Sequence, residues 1–410
     1  MHKRCAVVVV VLANICGCSS QSDEQTHSFM QYQENGLNIS ESTGDPKYRD
    51  SIFSFEKVCE IQEDKSNPAS MLYRSSDGLV GPDGKIFIAD DGNHRVAVFS
   101  PSGTYLTQFG QEGSGPGEFR SVTIQWVRND SISVYDFMQK RTSLFTVEGT
   151  LLTTLSAYWG AGVVQRVDPL PNGNRLRIER RAERREENNQ HVYYSAVVTS
   201  SKEDTIAYIK SPEFIWGRWF NSGRYTGRAD IRFGVRSGLD FHPQRGILVW
   251  SSDEAVLNWY TLTGSLFRVM RLGFEKESVT RQDRRNHHNW WQERIQTQET
   301  EEQKEFYRDY EALEALPDFK SFWAYASIDD RGFIWLQEHD EYNPESQDRS
   351  SSKYRVLDPQ GEYLGNVELP SQQGYIHNGH FLASETDQDS GQTIYTVYRM
   401  NTNVSEFEYQ

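Results

Sequence analysis

The chain of 410 residues is short of basic charge, with 43 Lys and Arg against 58 Asp and Glu and a net charge of −15. Its basic residues are scattered, and such a surface repels a polyanion, so nucleic acid is not an expected partner. Long hydrophobic runs are missing too. The one apolar stretch of note, Cys5 to Ile15, is broken by Asn14 and falls short of the roughly 20 residues needed to cross a bilayer. Catalytic signatures are absent: there is no GxSxG elbow, P-loop, HExxH or GxGxxG. No cofactor and no metal site is therefore expected from motifs. What is present is 13% aromatic residues, with Tyr 21, Phe 21 and Trp 10. Flat rings pack well on a pleated surface, which makes a β-rich fold the first expectation.

Residues 1–18, MHKRCAVVVVVLANICGC, place Lys3 and Arg4 before the apolar run, the layout of a secretory leader. Ile15-Cys16-Gly17-Cys18 resembles the lipobox of bacterial lipoproteins, with a branched residue at −3 and a small one at −1. The resemblance implies a signal peptide at 1–17, a lipid on Cys18 and a body held at a membrane of the bacterial cell envelope. Ser19 after the cysteine resembles outer-membrane cargo. Cleavage there leaves Cys18 and Cys59, which with Cys18 acylated permits neither an internal disulfide nor a thiolate metal cage. Cys59 sits in an apolar strand pattern and reads as a core residue. Residues 18–50 are polar and read as a flexible tether.

From residue 51 to 410 the chain repeats. Turn markers at Asp83-Gly84, Asn129-Asp130, Asn172-Gly173, Arg245-Gly246, Arg331-Gly332 and Asn378-Gly379 alternate with a second series at Ser102-Gly103, Glu148-Gly149, Glu203-Asp204, Thr263-Gly264 and Gln360-Gly361. A period of about 45 residues with four strands per unit predicts a six-bladed β-propeller. The last repeat holds only three strands. The segment Ile52–Ile61 alternates suitably to supply the fourth and latch the ring, leaving no long unpaired edge. The first repeat resembles NHL-repeat propellers in Gly84, Ile86, Ile88, Ala89, Asp90, Gly92, Asn93, His94, Arg95 and Val98, followed by GSGPGEF at 113–119. The whole body looks like the six-bladed propeller lipoproteins related to that family, whose members serve unrelated functions.

Antiparallel order puts both turn series on one face, where they are short. The long insertions, 111–121, 181–190, 211–227, 275–319 and 337–351, fall on the other. Long loops in compact domains tend to carry function, so that face is expected to meet a partner. The 275–319 segment has no Gly, and no Pro before Pro317; it predicts a helical insertion between blades four and five, with Trp291, Ile295, Phe306, Tyr310 and Leu313 as its apolar stripe. FIWGRWF at 214–220 is read as a loop, and Phe214, Trp216, Arg218, Trp219 and Phe220 as candidate ligand-binding residues for a protein, peptide or glycan.

Weaker constellations are the Arg/Glu run 177–187, read as a solvated hairpin tip, and Asp90, Asp91 and Asn93, read as turn chemistry because they lack calcium-loop spacing. Glu338, Asp340, Glu341 and Asp348 are a marginal metal candidate, and the ten histidines show no ligand spacing. Binding or scaffolding is thus expected over catalysis. The alternative is a metal-dependent hydrolase or lyase, whose ligands would come from distant strands meeting at the axis.

Overall fold

The computed structural model describes residues 27–61, 66–75, 77–156, 162–314, 316–339, 352–386, 393–402 and 404; the leader and Cys18 lie outside the described residues. Six antiparallel sheets follow one another along the chain, each built on a four-stranded unit. The fold is an all-β, six-bladed propeller. Its inner strands are Asp77–Val80, Thr123–Arg128, Val163–Pro169, Ser237–His242, Tyr325–Ile328 and Gly374–His377.

The turns between strands follow from backbone chemistry. Each marker of both series contains a residue with left-handed backbone, from Gly84 (φ 79°) in the first to Glu203 (φ 75°) in the second. Gly and Asn adopt that region at little cost, and it reverses the chain within a few residues.

Blade strands such as Ile86–Asp90 and Arg95–Phe99 are buried on both faces, because each sheet is sandwiched between two neighbours. The core accordingly divides into six clusters, one in each seam. Phe87 and Val98 with Ile124 and Val134 fill the first seam, and Leu176 and Ile178 with Phe241 and Val249 fill the third. Each fully buried Phe contributes about 1.5–3 kcal/mol by leaving water.

The ring closes as expected. Phe53–Ile61 pairs with Thr393–Thr402 as the outer strand of blade six, with Cys59 opposite Val397.

The expected tether at 18–50 is corrected by the same outer rim. From Phe29 onward it forms a hairpin, Phe29–Glu34 and Leu37–Thr43, whose second strand lies parallel on Leu266–Gly273, the outer strand of blade four. Ile39, Ser40 and Ser42 are buried there, and Arg271 reaches Glu41 at 2.8 Å, Glu34 at 3.1 Å and the Tyr32 hydroxyl at 2.8 Å. The chain then crosses blade five, where the Lys47 and Tyr48 amides donate to the Tyr363 and Leu364 carbonyls. A strand at a sheet edge is held by backbone bonds and needs one apolar residue or two on its inner side, so a polar composition does not forbid it.

The helical insertion lies between blades four and five. α1 (Arg281–Gln296) and α2 (Glu301–Leu313) each begin at a threonine in a capping box, Thr280 with Asp283 and Thr300 with Gln303. The insertion stands on a stem in which Val279 donates to Asp318 and Lys320 to Glu277.

Candidate functional site

The long-loop face is built mainly by blade three. Its strands Arg175–Arg184 and Asn189–Thr199 are twice the usual blade length and overshoot the ring. The far end of the second strand pairs with Thr205–Lys210, while its near end pairs with Phe214–Ser222, which turns back as Tyr225–Asp230. Segment 214–220 is therefore a strand, not the expected loop: its polar and glycine-containing pattern hid a backbone ladder that only the overshooting strand could complete.

The five candidate residues go to different places. Phe220 is buried against α2, stacked on Phe306 at 5.3 Å and edge-on to Tyr310 at 5.9 Å. Phe214 is buried and Trp216 is half-buried, their rings 6.4 Å apart. Trp216 is the extra residue between the pairs Gln190–Gly217 and His191–Ile215, and this bulge sends its ring to two guanidinium groups, Arg180 at 5.0 Å and Arg228 at 4.5 Å. Arg218 is exposed and pairs with Glu187 at the hairpin tip at 2.9 Å. Trp219 is half-buried. Three of the five are thus committed to packing, and Arg218 and Trp219 remain presented.

Of the expected helical stripe, Trp291 and Ile295 are buried, with Phe306, Tyr310 and Leu313 half-buried. Inside the helix pair, His287 and Trp291 both contact Glu314 at 2.6 Å, and His288 contacts Glu311 at 2.6 Å. Arg224 of the blade-three turn reaches Glu302 of α2 at 3.1 Å, so helices and overshoot form one body.

The solvated reading of 177–187 holds for its tip but not for its base. Glu179 is fully buried and takes Arg177 and Arg181 on one face, while Arg180 points to the other.

The NHL-like residues are explained by the fold. Asp90 accepts from the Tyr73 amide at 2.8 Å, from Asn93 at 2.8 Å and from Arg95 at 2.7 Å, and Arg95 continues to the Met71 carbonyl at 2.6 Å. Blade two repeats the device: Asp136 accepts from Arg120, Ser121 and Gln139, and Arg141 reaches the carbonyls of Ser114, Gly115 and Glu118. An Asp at the end of the second strand and an Arg five residues on tie each turn to the preceding crossing. Arg95 also lines a cleft of about 430 Å³ with Met71, Tyr73, Asn93 and Gln108.

Polar ties run around the axis through every seam. Asp77 accepts from the Ile124 amide, Arg128 pairs with Asp168 at 2.8 Å, and Arg166 joins Asp168 at 2.6 Å to Asp240 at 3.0 Å. Asp240 accepts from Ile328, Asp330 from Asn378, and His377 meets the Val80 carbonyl at 2.9 Å. Sequence reasoning missed these residues because they lie on different blades; a charged residue inside a short inner strand was the one signal available. Tyr325 (52% exposed) and Tyr375 (45%) are exposed on the inner strands of blades five and six.

Burial also shifts Asp329 and His339, in opposite directions. Burial and the neighbouring Asp330 charge push Asp329 up to about 7, although Trp335 and two amides donate to it. Burial drives His339 down to about 4; its Nε2 meets Ser321, and it lines a polar cavity of about 110 Å³ with Lys320, Glu338 and Arg355. Glu338 of the marginal metal candidate pairs with Arg355 at 2.9 Å, and Asp340, Glu341 and Asp348 lie outside the described residues. Among the described residues no three His, Cys, Asp or Glu groups are placed to hold a metal ion.

Residues 70–210 match the DUF5128 family, described as a 6-bladed beta-propeller. The match covers the first three blades, where the turn markers and the Asp–Arg device are clearest. No curated protein matches the chain. Among solved structures it is similar to a candidate exported protein of Bacteroides fragilis, at 14% identity over 89% of this chain and 100% of that one, with a TM-score of 0.46. It is also similar to a DUF4221 protein of Bacteroides vulgatus, at 10% identity over 85% and 98% with a TM-score of 0.41. Virginiamycin B lyase of Staphylococcus aureus matches at 10% identity over 86% and 100%, with a TM-score of 0.34.

Proposed function

We propose that this protein is a lipid-anchored propeller of the bacterial cell envelope, related to the NHL-repeat propellers, whose long-loop face binds a protein, peptide or glycan partner. The observation that carries the reading is one-sidedness: the blade-three overshoot, the strand pair 214–230 and the helix pair all rise from one face, while the turns of the opposite face stay short. A fold that needed only stability would have no reason to place these three elaborations together.

Anchoring rests on the sequence around Cys18, and the Ser19 context favours the outer membrane. No helix among the described residues is long and apolar enough to cross a membrane. The role is binding rather than catalysis: the axial carboxylates Asp168 and Asp240 are spent on Arg128, Arg166 and a backbone amide. Kinship with NHL repeats is supported by the Asp–Arg device of blades one and two.

The anchor is tested by Cys18→Ser. We expect this variant to leave the membrane fraction, because no helix among the described residues is long and apolar enough to replace the acyl chains; retention after a carbonate wash would count against the anchor. Capture of a partner by the long-loop face is tested separately, with the variants described below.

A further inference from the structure

Blades one and two grip their incoming crossings with three side chains at the same spacing, Asp90, Asn93 and Arg95 in one and Asp136, Gln139 and Arg141 in the other. The bonds correspond residue by residue. The Tyr73 amide donates to Asp90 at 2.8 Å as the Arg120 amide does to Asp136 at 2.8 Å. Two residues earlier, the Met71 carbonyl accepts from Arg95 at 2.6 Å as the Glu118 carbonyl does from Arg141 at 2.5 Å. Beyond that point the blades differ. Arg141 goes on to the Ser114 carbonyl at 2.9 Å and the Gly115 carbonyl at 2.6 Å, and Gln139 to the Gly113 carbonyl at 3.0 Å. These carbonyls belong to one compact loop, closed where the Phe119 amide donates to the Gln111 carbonyl at 2.8 Å. Pro68 stands three residues before the shared carbonyl, as Gly115 does, yet it lines the cleft of about 430 Å³ instead of bonding to Arg95. Blade one thus has the grip of blade two with most of its loop carbonyls missing.

The cleft keeps donors for them. Arg95 is 6% exposed, and among the described residues three acceptors meet its five N–H groups: Asp90 at 2.7 Å, the Met71 carbonyl and the Gln108 side-chain oxygen. Gln108 spends that oxygen on Arg95 and the Tyr105 hydroxyl, and its amide nitrogen has no acceptor among the described residues. Asp90 balances the Arg95 charge, so the cleft offers N–H groups without a net positive charge. That suits neutral carbonyl oxygens better than an anion. Met71, Leu72 and Tyr73 supply an apolar wall. The Tyr73 ring is 61% exposed, but its backbone is fixed at both ends, by Asp90 at the amide and by the Gly92 amide at the carbonyl at 2.8 Å. A Cβ at Gly92 would fall 2.3 Å from that ring, so glycine is what admits the contact. An aromatic held this way loses little freedom on meeting a ligand.

We propose that the blade-one cleft binds a peptide loop of a partner protein, whose main-chain carbonyls take on Arg95 the place that those of Ser114 and Gly115 take on Arg141, with Tyr73 packed against its side chains. This rests on the reading of the long-loop face, to which the crossing and the 91–94 turn belong, as the binding face, and it narrows the partner to a peptide.

The test is fluorescence anisotropy on the detergent-solubilised full chain with the loop that blade two already holds: a cyclised peptide of the sequence 111–119, QEGSGPGEF, closed through one added lysine that carries the dye. We expect half-saturation below about 1 mM, displacement by the unlabelled peptide, and no displacement by maltotriose. Tyr73→Ala and Gln108→Leu, both at exposed positions, should each weaken binding about fivefold or more, and Tyr208→Ala, on the blade-three rim, should not. Arg95→Lys keeps a charge beside Asp90 but not the fork and should lose about tenfold or more; should it fail to melt cooperatively, the Tyr73 and Gln108 variants decide. No saturable binding up to about 1 mM, displacement by maltotriose, or full affinity in folded Tyr73→Ala and Gln108→Leu would overturn the assignment. If the peptide fails to bind while the Arg218→Glu/Trp219→Ala chain still loses its envelope partner, the cleft assignment falls and the broader reading of the face survives.

Discussion

Cys59 faces Val397 across the outermost ladder of blade six, so the first strand of the body and the last strand of the chain share one sheet. Deleting 53–61 should therefore remove one outer strand and expose both the Thr393–Thr402 edge and the seam clusters that hold Phe53, Cys59 and Ile61. We expect loss of the cooperative melt and aggregation, read by calorimetry and light scattering. The buried Cys59 thiol, its pKa raised by burial, should resist thiol reagents until the latch opens. Fast labelling mapped to Cys59 in otherwise folded protein would show that the ring closes in another way.

The hairpin at 29–43 gives a second expectation. Ile39→Ala removes a residue only 2% exposed and should cost about 2–4 kcal/mol in denaturant unfolding, within the usual range for such truncations. A cost near zero would return the segment to a leash that contributes nothing.

Asp329 and His339 give opposite pH dependences. Asp329 is raised to about 7, so the fold favours its protonated form; its contribution is complete below the ordinary carboxylate range and is lost as pH rises toward 7. His339 is lowered to about 4, so its contribution is present above about 6.5 and is lost as pH falls toward 4. In melts between pH 4 and 8, Asp329→Asn should remove the decline toward neutral pH and His339→Gln the decline toward acid. Unchanged slopes in both variants would mean that neither group is perturbed in the folded protein.

The aromatic strand separates packing from presentation. Phe220→Ala empties the contact with Phe306 and Tyr310 and should cost about 3–5 kcal/mol, whereas Arg218→Ala, exposed and paired only at the surface, should stay within about 0.5 kcal/mol. Similar losses in the two, measured by chemical denaturation, would contradict the assigned packing.

Blade number, turn positions, the latch and the helical insertion were legible because they depend on local chemistry: turn residues that tolerate left-handed backbone, alternating strands, and a Gly-free stretch with an apolar stripe. The hairpin at 29–43 and the strand at 214–222 were not, since both are polar strands completed by partners far away, Leu266–Gly273 in one case and the overshooting Asn189–Thr199 in the other. The same limit hid the axial charges. Nothing near Arg166 in the chain announces Asp240, and nothing near Arg180 announces that it rises above the core on the face shared with Ile178. The place of Trp216 was hidden for a related reason: its packing between two guanidinium groups depends on a one-residue bulge that the residue pattern does not encode.

The central claim is that the long-loop face meets a partner, and it is tested most directly by crosslinking and capture in the native envelope. The wild-type chain would be compared with an Arg218→Glu/Trp219→Ala variant and with a Ser102→Ala/Thr263→Ala variant of the short-turn face, all first shown to melt alike. An aromatic anchor in an interface is worth about 2 kcal/mol or more, so the first variant should lose most of the captured partner and the second should keep it. Equal capture by all three chains would contradict the account.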